Sequence, residues 1–188
     1  MNILISAVGG QGALLASRIF GTLADKIGLD IKLSEVHGMS QRGGSVVTHV
    51  RMGKKVNSPV VEKGTADFIM AFEQLEGARY IDWLKKDGTL IVNTQQIDPM
   101  PVVAGTVEYP GDLVKELSEL PIKLYSVDAV TLATQAGNVK TANIILVGIL
   151  ASITDIPKQM WQEAIVETVP EKFVEENLKA FELGYKVK

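Results

Sequence analysis

A short apolar run, Asn2–Val8, stops at Gly9-Gly10-Gln11-Gly12, and a helical pattern takes over at once. Leu14, Leu15, Ile19, Leu23 and Ile27 recur at the three- and four-residue steps that line up one face of a helix. Gly28 stands where a helix C-cap favours a residue free to take positive φ. A second apolar run, Ile31–Val36, follows. Strand, glycine turn, helix, strand is a βαβ unit, and it commits the chain to a sheet covered by helices.

The remaining 150 or so of the 188 residues repeat that alternation. Strands are expected at Ser45–Met52, Asp67–Phe72, Thr89–Asn93 and Ile122–Val127, and helices at Leu75–Leu84 and Asp112–Leu120. Thr131 to about Ile153 reads as helical with a break near Gly137. Two surface helices, Lys158–Val169 and Glu171–Tyr185, are split by Pro170, which suits a first helical turn. The Pro-rich stretch Asp98–Gly111 reads as a connection within one domain, 1–188, since composition does not shift across it. The expectation is an α/β fold: a single Rossmann-like domain, a mostly parallel sheet with helices on both faces, and a C-terminal helical pair.

Composition narrows the chemistry. The chain has no cysteine, so it forms no disulfide and holds no iron–sulfur cluster through its own thiolates. Two histidines, His37 and His49, and no carboxylate cluster beside them leave no metal site in view. A net charge of -3 lacks the basic field of a nucleic-acid binder. No stretch has the ~20 apolar residues of a membrane span, and the first residues lack a signal-peptide pattern. A cytoplasmic protein is the expectation.

Two segments carry candidate chemistry. Gly9, Gly10, Gln11 and Gly12 lie at a helix N-terminus, where backbone N–H groups favour an anion. Set against the dinucleotide fingerprint, Ala7, Gly9 and Gly12 occupy the three glycine positions, so the fit is partial. Glu35, near the end of the second strand, is placed to meet a ribose. The glycines equally suit close packing of helix on strand; Gln11, a polar side chain in a turn that packing would fill with something small, favours function. The second segment, Ser34-Glu35-Val36-His37-Gly38-Met39-Ser40-Gln41-Arg42-Gly43-Gly44-Ser45, gathers Glu35, His37, Gln41, Arg42 and Ser45 around glycines at a strand's carboxyl end. Gly43, Gly44 and Arg42 can offer backbone donors and a guanidinium fork to a phosphate or carboxylate. His37 is the one candidate acid–base group, with a purely structural bond to Glu35 or a carbonyl as the competing role. His49 reads as structural, and Arg51 as either an anchor or a surface charge.

These segments resemble a known family. Ala7-Val8-Gly9-Gly10-Gln11-Gly12, the Ser34–Ser45 run and His49-Val50-Arg51 look like the gamma domain of the pyruvate/2-oxoacid:ferredoxin oxidoreductases. The Glu-Val-His-Gly-Met-x-Gln-Arg-Gly-Gly form is similar to the small subunits of the indolepyruvate type. Ala66-Asp67, Phe72-Glu73, Gly137-Asn138 and Asn143 extend the likeness over roughly residues 1 to 180, while Ala7 stands where the family usually has glycine. The resemblance implies an oxidoreductase subunit, inactive alone. It implies oxidation of a 2-oxoacid to an acyl-CoA and carbon dioxide, with ferredoxin reduced through the partner. The resemblance also implies thiamine diphosphate, magnesium and [4Fe–4S] clusters on a large partner subunit, which fits a chain without cysteine or a Gly-Asp-Gly…Asn signature. Coenzyme A is expected at the interface, against Gly9–Gly12 and Arg42–Ser45, with Asn143 nearby. The 2-oxoacid's side chain is expected to lie largely on the partner, and the isolated chain to self-associate through its uncovered interface.

Two other functions compete. A free-standing NAD(P) oxidoreductase needs a proton donor such as Tyr-x-x-x-Lys; Tyr80 leads to Trp83-Leu84 and Tyr125 to Asp128-Ala129, so neither provides it. A stand-alone nucleotide-binding module would use the same fold without catalysis. Within the family, gamma subunits acting on 2-oxoglutarate or 2-ketoisovalerate are the alternatives.

Overall fold

The structure is a computed structural model that describes residues 1–38 and 43–187. The strands are β1 (Asn2–Val8), β2 (Asp30–His37), β3 (Ser45–Gly53), β4 (Ala66–Ala71), β5 (Leu84–Asn93) and β6 (Lys123–Val127). The helices are α1 (Ala13–Lys26), α2 (Gln74–Arg79), α3 (Met100–Val103), α4 (Leu113–Ser118), α5 (Ala129–Ala136), α6 (Ala142–Ser152), α7 (Lys158–Thr168) and α8 (Val174–Tyr185). One six-stranded sheet runs in the order β2-β3-β1-β4-β5-β6. β1, β4, β5 and β6 pair in parallel; β3 is antiparallel to both its neighbours.

The expected α/β architecture with helices on both faces is observed, with a modified first unit. β2 does not lie beside β1, because β3 folds back between them, with Ile5 opposite Thr48 and Leu33 opposite Val50. β1 is buried on both faces, which explains its unbroken apolar run. Ile3, Ile5 and Ala7 pack with α1 and the C-terminal helices, while Leu4 packs on the other side with Ile69, Leu90 and Leu117.

Element boundaries follow the sequence expectation in part. The helix expected over Leu75–Leu84 is only α2 and a 3-10 turn at Ile81–Trp83; Leu84 already belongs to β5. The Thr131–Ile153 stretch is divided where expected: Gly137 ends α5 at φ 105, and a 3-10 turn at Val139–Thr141 leads into α6. The Pro-rich connection contains the short α3. α7 and α8 are less superficial than expected, since Trp161, Ala164, Ile165, Ala180 and Phe181 are fully buried. Trp161 meets Phe20 of α1 edge to face, with ring centroids 5.7 Å apart.

α6 is apolar all round and buried from Asn143 to Ala151, the mark of a helix surrounded by protein. It touches α8 backbone to backbone: a Cβ on Gly148 would lie 2.4 Å from the Phe181 carbonyl, and one on Gly184 would lie 2.0 Å from the Ile145 carbonyl. That contact seats α6 with its first turn, and Asn143, against the glycine turn after β1.

Candidate functional site

After β1 the chain turns to the β3 side of the sheet, and after β4 to the β5 side. The carboxyl ends of β1 and β4 therefore flank a topological switch point, where ligands bind in open α/β sheets. The turn Gly9–Gly12 sits there. Gly10 and Gly12 have φ 105 and 84, conformations that a side chain resists, and Gly12 caps α1 without a side-chain bond to its first N–H groups.

The two sequence segments meet. Gly9 N–H donates to the Gly44 carbonyl at 2.8 Å, and Gly43 N–H donates back to the Gly9 carbonyl at 3.3 Å. A cavity of about 440 Å3 beside this junction is lined by residues 8–14 with Glu35, His37 and Val46. Glu35 accepts weakly from Thr48 Oγ1 at 3.3 Å. His37 is exposed, its Nδ1 lying 3.1 Å from the Gly38 carbonyl. The carbonyl partner foreseen for a structural His37 is thus present, while the ring still borders the cavity. Gln41 and Arg42 lie outside the described residues.

Three candidates are placed differently from a simple anion cradle. The Gln11 side chain is occupied: its Oε1 accepts from Val8 N–H at 2.8 Å, and its Nε2 donates to the Phe72 carbonyl at 2.9 Å and to Gln95 Oε1 at 3.1 Å. It stitches the turn to the end of β4 across the switch point, so its polarity has a structural cause. Ser45 turns to α2, its Oγ donating to Glu76 Oε2 at 2.5 Å. Asn143 is buried; its Nδ2 donates to the Gly12 carbonyl at 3.0 Å and its Oδ1 accepts from Ile144 N–H at 2.9 Å. A Cβ on residue 12 would fall 2.6 Å from Asn143 Nδ2, so Gly12 serves close packing as well as turn geometry.

Other polar groups at the carboxyl end were not among the candidate site residues. Asn93 Oδ1 accepts from Ala129 N–H, and its Nδ2 donates to the Phe72 carbonyl. Its place at the end of a parallel strand was the available signal. Glu73 is buried and accepts from Glu76 N–H, Ile97 N–H and the Tyr109 hydroxyl, so one carboxylate pins α2 and both ends of the Pro-rich connection. Burial and the Glu73 carboxylate push the Tyr109 phenol far above its usual range, keeping it a donor. Burial raises the Glu76 carboxyl above its ordinary value, and the Ser45 hydrogen bond partly opposes that. No partner for these groups is spelled out by sequence spacing.

His49 is buried in β3, and its Nδ1 accepts from Val61 N–H at 3.2 Å. Burial holds it below its ordinary value of 6.5, so folding favours the neutral ring. Below pH 6.5 the unfolded chain takes up a proton that the folded chain refuses, so stability should fall as pH drops through that value. His49→Asn, whose carbonyl can accept from Val61, is expected to remove that part of the loss. Chemical denaturation across the pH range checks it; an unchanged slope counts against the assignment. Arg51 donates to Asn2 Oδ1, the Ser58 carbonyl and the Val60 carbonyl, which makes it an anchor rather than a loose surface charge.

Among the described residues no group of three His, Asp or Glu side chains is placed to hold a metal ion, and no helix is long and apolar enough to cross a membrane.

Comparison with known proteins follows this geometry. Residues 2–187 match the family described as pyruvate ferredoxin/flavodoxin oxidoreductase. An indolepyruvate oxidoreductase subunit IorB from Thermococcus kodakarensis is 42% identical over 98% of this chain and 94% of its own length. The gamma subunit of a keto/oxoacid ferredoxin oxidoreductase from Geobacter sulfurreducens superposes with a TM-score of 0.73 at 26% identity, covering 98% of this chain and 96% of that one. A 2-oxoglutarate:ferredoxin oxidoreductase from Magnetococcus marinus, solved with 2-oxoglutarate, coenzyme A and succinyl-CoA, shares the fold over 100% of this chain and 30% of its own, with a TM-score of 0.76 at 16% identity. A match spanning residues 2–187, together with a relative 42% identical over nearly the whole of both chains, shows that this chain belongs to the pyruvate ferredoxin/flavodoxin oxidoreductase family.

Proposed function

We propose that the chain is the small subunit of an indolepyruvate-type ferredoxin oxidoreductase and forms the coenzyme A side of a site completed by a large subunit. One observation carries this reading: the Gly9–Gly44 junction joins the two glycine segments at the switch point, beside a cavity bordered by Glu35 and His37. The α1 N-terminus and the backbone of Gly10 and Gly12 suit a phosphate there. Arg42, adjoining Gly43 in sequence, is the candidate guanidinium for the same anion. The relative from Thermococcus kodakarensis supports the choice of an aryl 2-oxoacid as the substrate class. The Magnetococcus marinus enzyme, in which this fold is part of a longer chain crystallised with coenzyme A, supports the choice of that carrier.

In this reading thiamine diphosphate, magnesium and [4Fe–4S] clusters reside on the partner and supply decarboxylation and electron transfer. The absence of cysteine here is consistent with that division. His37 is the candidate group for proton handling at the subunit boundary, and ferredoxin is reached through the partner. A stand-alone nucleotide-binding module is not favoured, because the family match and the small-subunit relative each extend over nearly the whole chain.

Anaerobic co-expression with the large subunit, followed by indolepyruvate- and coenzyme A-dependent reduction of a viologen dye, tests the proposal. Activity should require both chains. Arg42→Ala is expected to raise the apparent KM for coenzyme A roughly tenfold or more, as befits a lost charge-assisted hydrogen bond. A complex inactive with every aryl and branched 2-oxoacid tried would refute it.

A further inference from the structure

On the far side of the glycine turn lies a second cavity of about 450 Å3, walled by Leu15, Phe72, Val130, Val139 and Leu146. Its floor is a relay of side-chain amides whose orientation is set by backbone donors. Val8 N–H donates to Gln11 Oε1, so the Gln11 Nε2 must face the other way. Ala129 N–H donates to Asn93 Oδ1, so the same holds for Asn93 Nδ2. Both NH2 groups then donate to one atom, Gln95 Oε1, at 3.1 and 3.4 Å. With its oxygen taken from two sides, Gln95 can only leave its own NH2 for the cavity.

The amide side chains of the lining are therefore turned the same way, with their oxygens on protein partners. The side-chain oxygens of Gln11, Asn93, Gln95 and Asn143 all accept protein N–H groups. Gln95 and the exposed Lys140 both line the cavity, and among the described residues neither the Gln95 Nε2 nor the Lys140 ammonium has a protein acceptor. Lys140 is positioned from its backbone, where its N–H donates to the Asn138 side chain at 3.0 Å. Donors on an apolar wall select a ligand with an apolar body and an acceptor end.

We propose that this cavity is a binding site for an apolar carboxylate, with Gln95 Nε2 as the donor that fixes the carboxylate and Lys140 as the outer charge that attracts it. Resting on the proposed function, the ligand class is an aryl 2-oxoacid. This chain then holds a site for the substrate class separate from the Glu35–His37 cavity, rather than leaving the 2-oxoacid wholly to the partner.

The test uses the full chain with 15N-labelled side-chain amides, titrated with phenylpyruvate, phenylacetate, indole and coenzyme A. The carboxylates should shift the Gln95 and Asn93 amide signals, and indole, which lacks the acceptor end, should not. Gln95→Glu is the decisive variant. Its carboxylate still accepts from Gln11 and Asn93, so the unfolding midpoint should hold, but the cavity now meets an anion instead of a donor. Affinity for phenylpyruvate is expected to drop on the order of tenfold to a hundredfold. Lys140→Ala should weaken both carboxylates without moving the Gln11 signal. Carboxylates that leave these amides unmoved, or that bind Gln95→Glu as well as the unaltered chain, overturn the proposal. So does coenzyme A shifting these amides while the carboxylates do not. Each result is read on the isolated chain, so it stands apart from whether the assembled enzyme oxidises indolepyruvate.

Discussion

Gly184→Ala is expected to lower the unfolding midpoint by roughly 6–12 °C, which corresponds to about 3 kcal/mol for a chain of this size. The added methyl would sit 2.0 Å from the Ile145 carbonyl oxygen and 2.8 Å from its carbon, both backbone atoms that cannot swing aside. Relief requires α8 to move off α6, which strips contacts from Phe181 and Ala180, both fully buried. Alanine's better helix propensity returns only about 1 kcal/mol. Gly148→Ala forces the same separation from the opposite helix, with its methyl 2.4 Å from the Phe181 carbonyl, so the double variant should cost less than the sum. Gly21→Ala provides the opposite sign. It lies within α1, where a new methyl meets nothing within 4 Å, and should stabilise by up to about 1 kcal/mol. Thermal unfolding of the four variants checks the set; a Gly184→Ala protein as stable as the original would refute the helix contact.

Gly12→Ala is expected to reduce activity of the assembled enzyme by about a hundredfold while costing only about 2 kcal/mol of stability. The stability term has two parts. A residue with a Cβ at φ 84 is strained by about 1–2 kcal/mol, and the Asn143–Gly12 hydrogen bond contributes about 1 kcal/mol. The activity term is geometric. The methyl would lie 2.6 Å from Asn143 Nδ2, so the turn and the start of α6 must part, and both cavities share that turn. Asn143→Ala alone keeps the turn's backbone but removes the bond, and should lose far less activity. In the double variant the collision with Asn143 disappears while the backbone strain stays, so activity should partly return. Kinetics of the three variants in the complex, beside their unfolding midpoints, separate position from stability. Equal activity for Gly12→Ala and the original enzyme would show that the turn does not position the site.

The alternation of β and helical periods, the glycine turn at the end of β1 and the break at Gly137 were all legible in the sequence, because each is a local signal. Apolar period, chain reversal and positive φ depend on neighbours a few residues away. The Ser34–Ser45 and Gly9–Gly12 segments likewise stood out as candidates, since carboxyl-end loops of strands announce themselves by their polar and glycine content. Their direct pairing was not. Nothing local says that β3 returns between β1 and β2, a reversal that brings Gly44 to Gly9. The roles of single side chains were decided later still. Gln11 looked like a ligand donor until Phe72, 61 residues away, proved to accept its hydrogen bond. Ser45 belongs to Glu76, and the Gln95 oxygen is taken by Gln11 and Asn93, whose amides Val8 and Ala129 orient. The sequence by itself determined the alternation of strands and helices, the candidate segments at the strand ends and the family; the tertiary structure decided which polar atoms of those segments are already bonded. The physical reason is that a side chain's chemistry depends on which of its donors and acceptors are already satisfied, and here several of those partners, such as Phe72 for Gln11 and Glu76 for Ser45, lie tens of residues away along the chain.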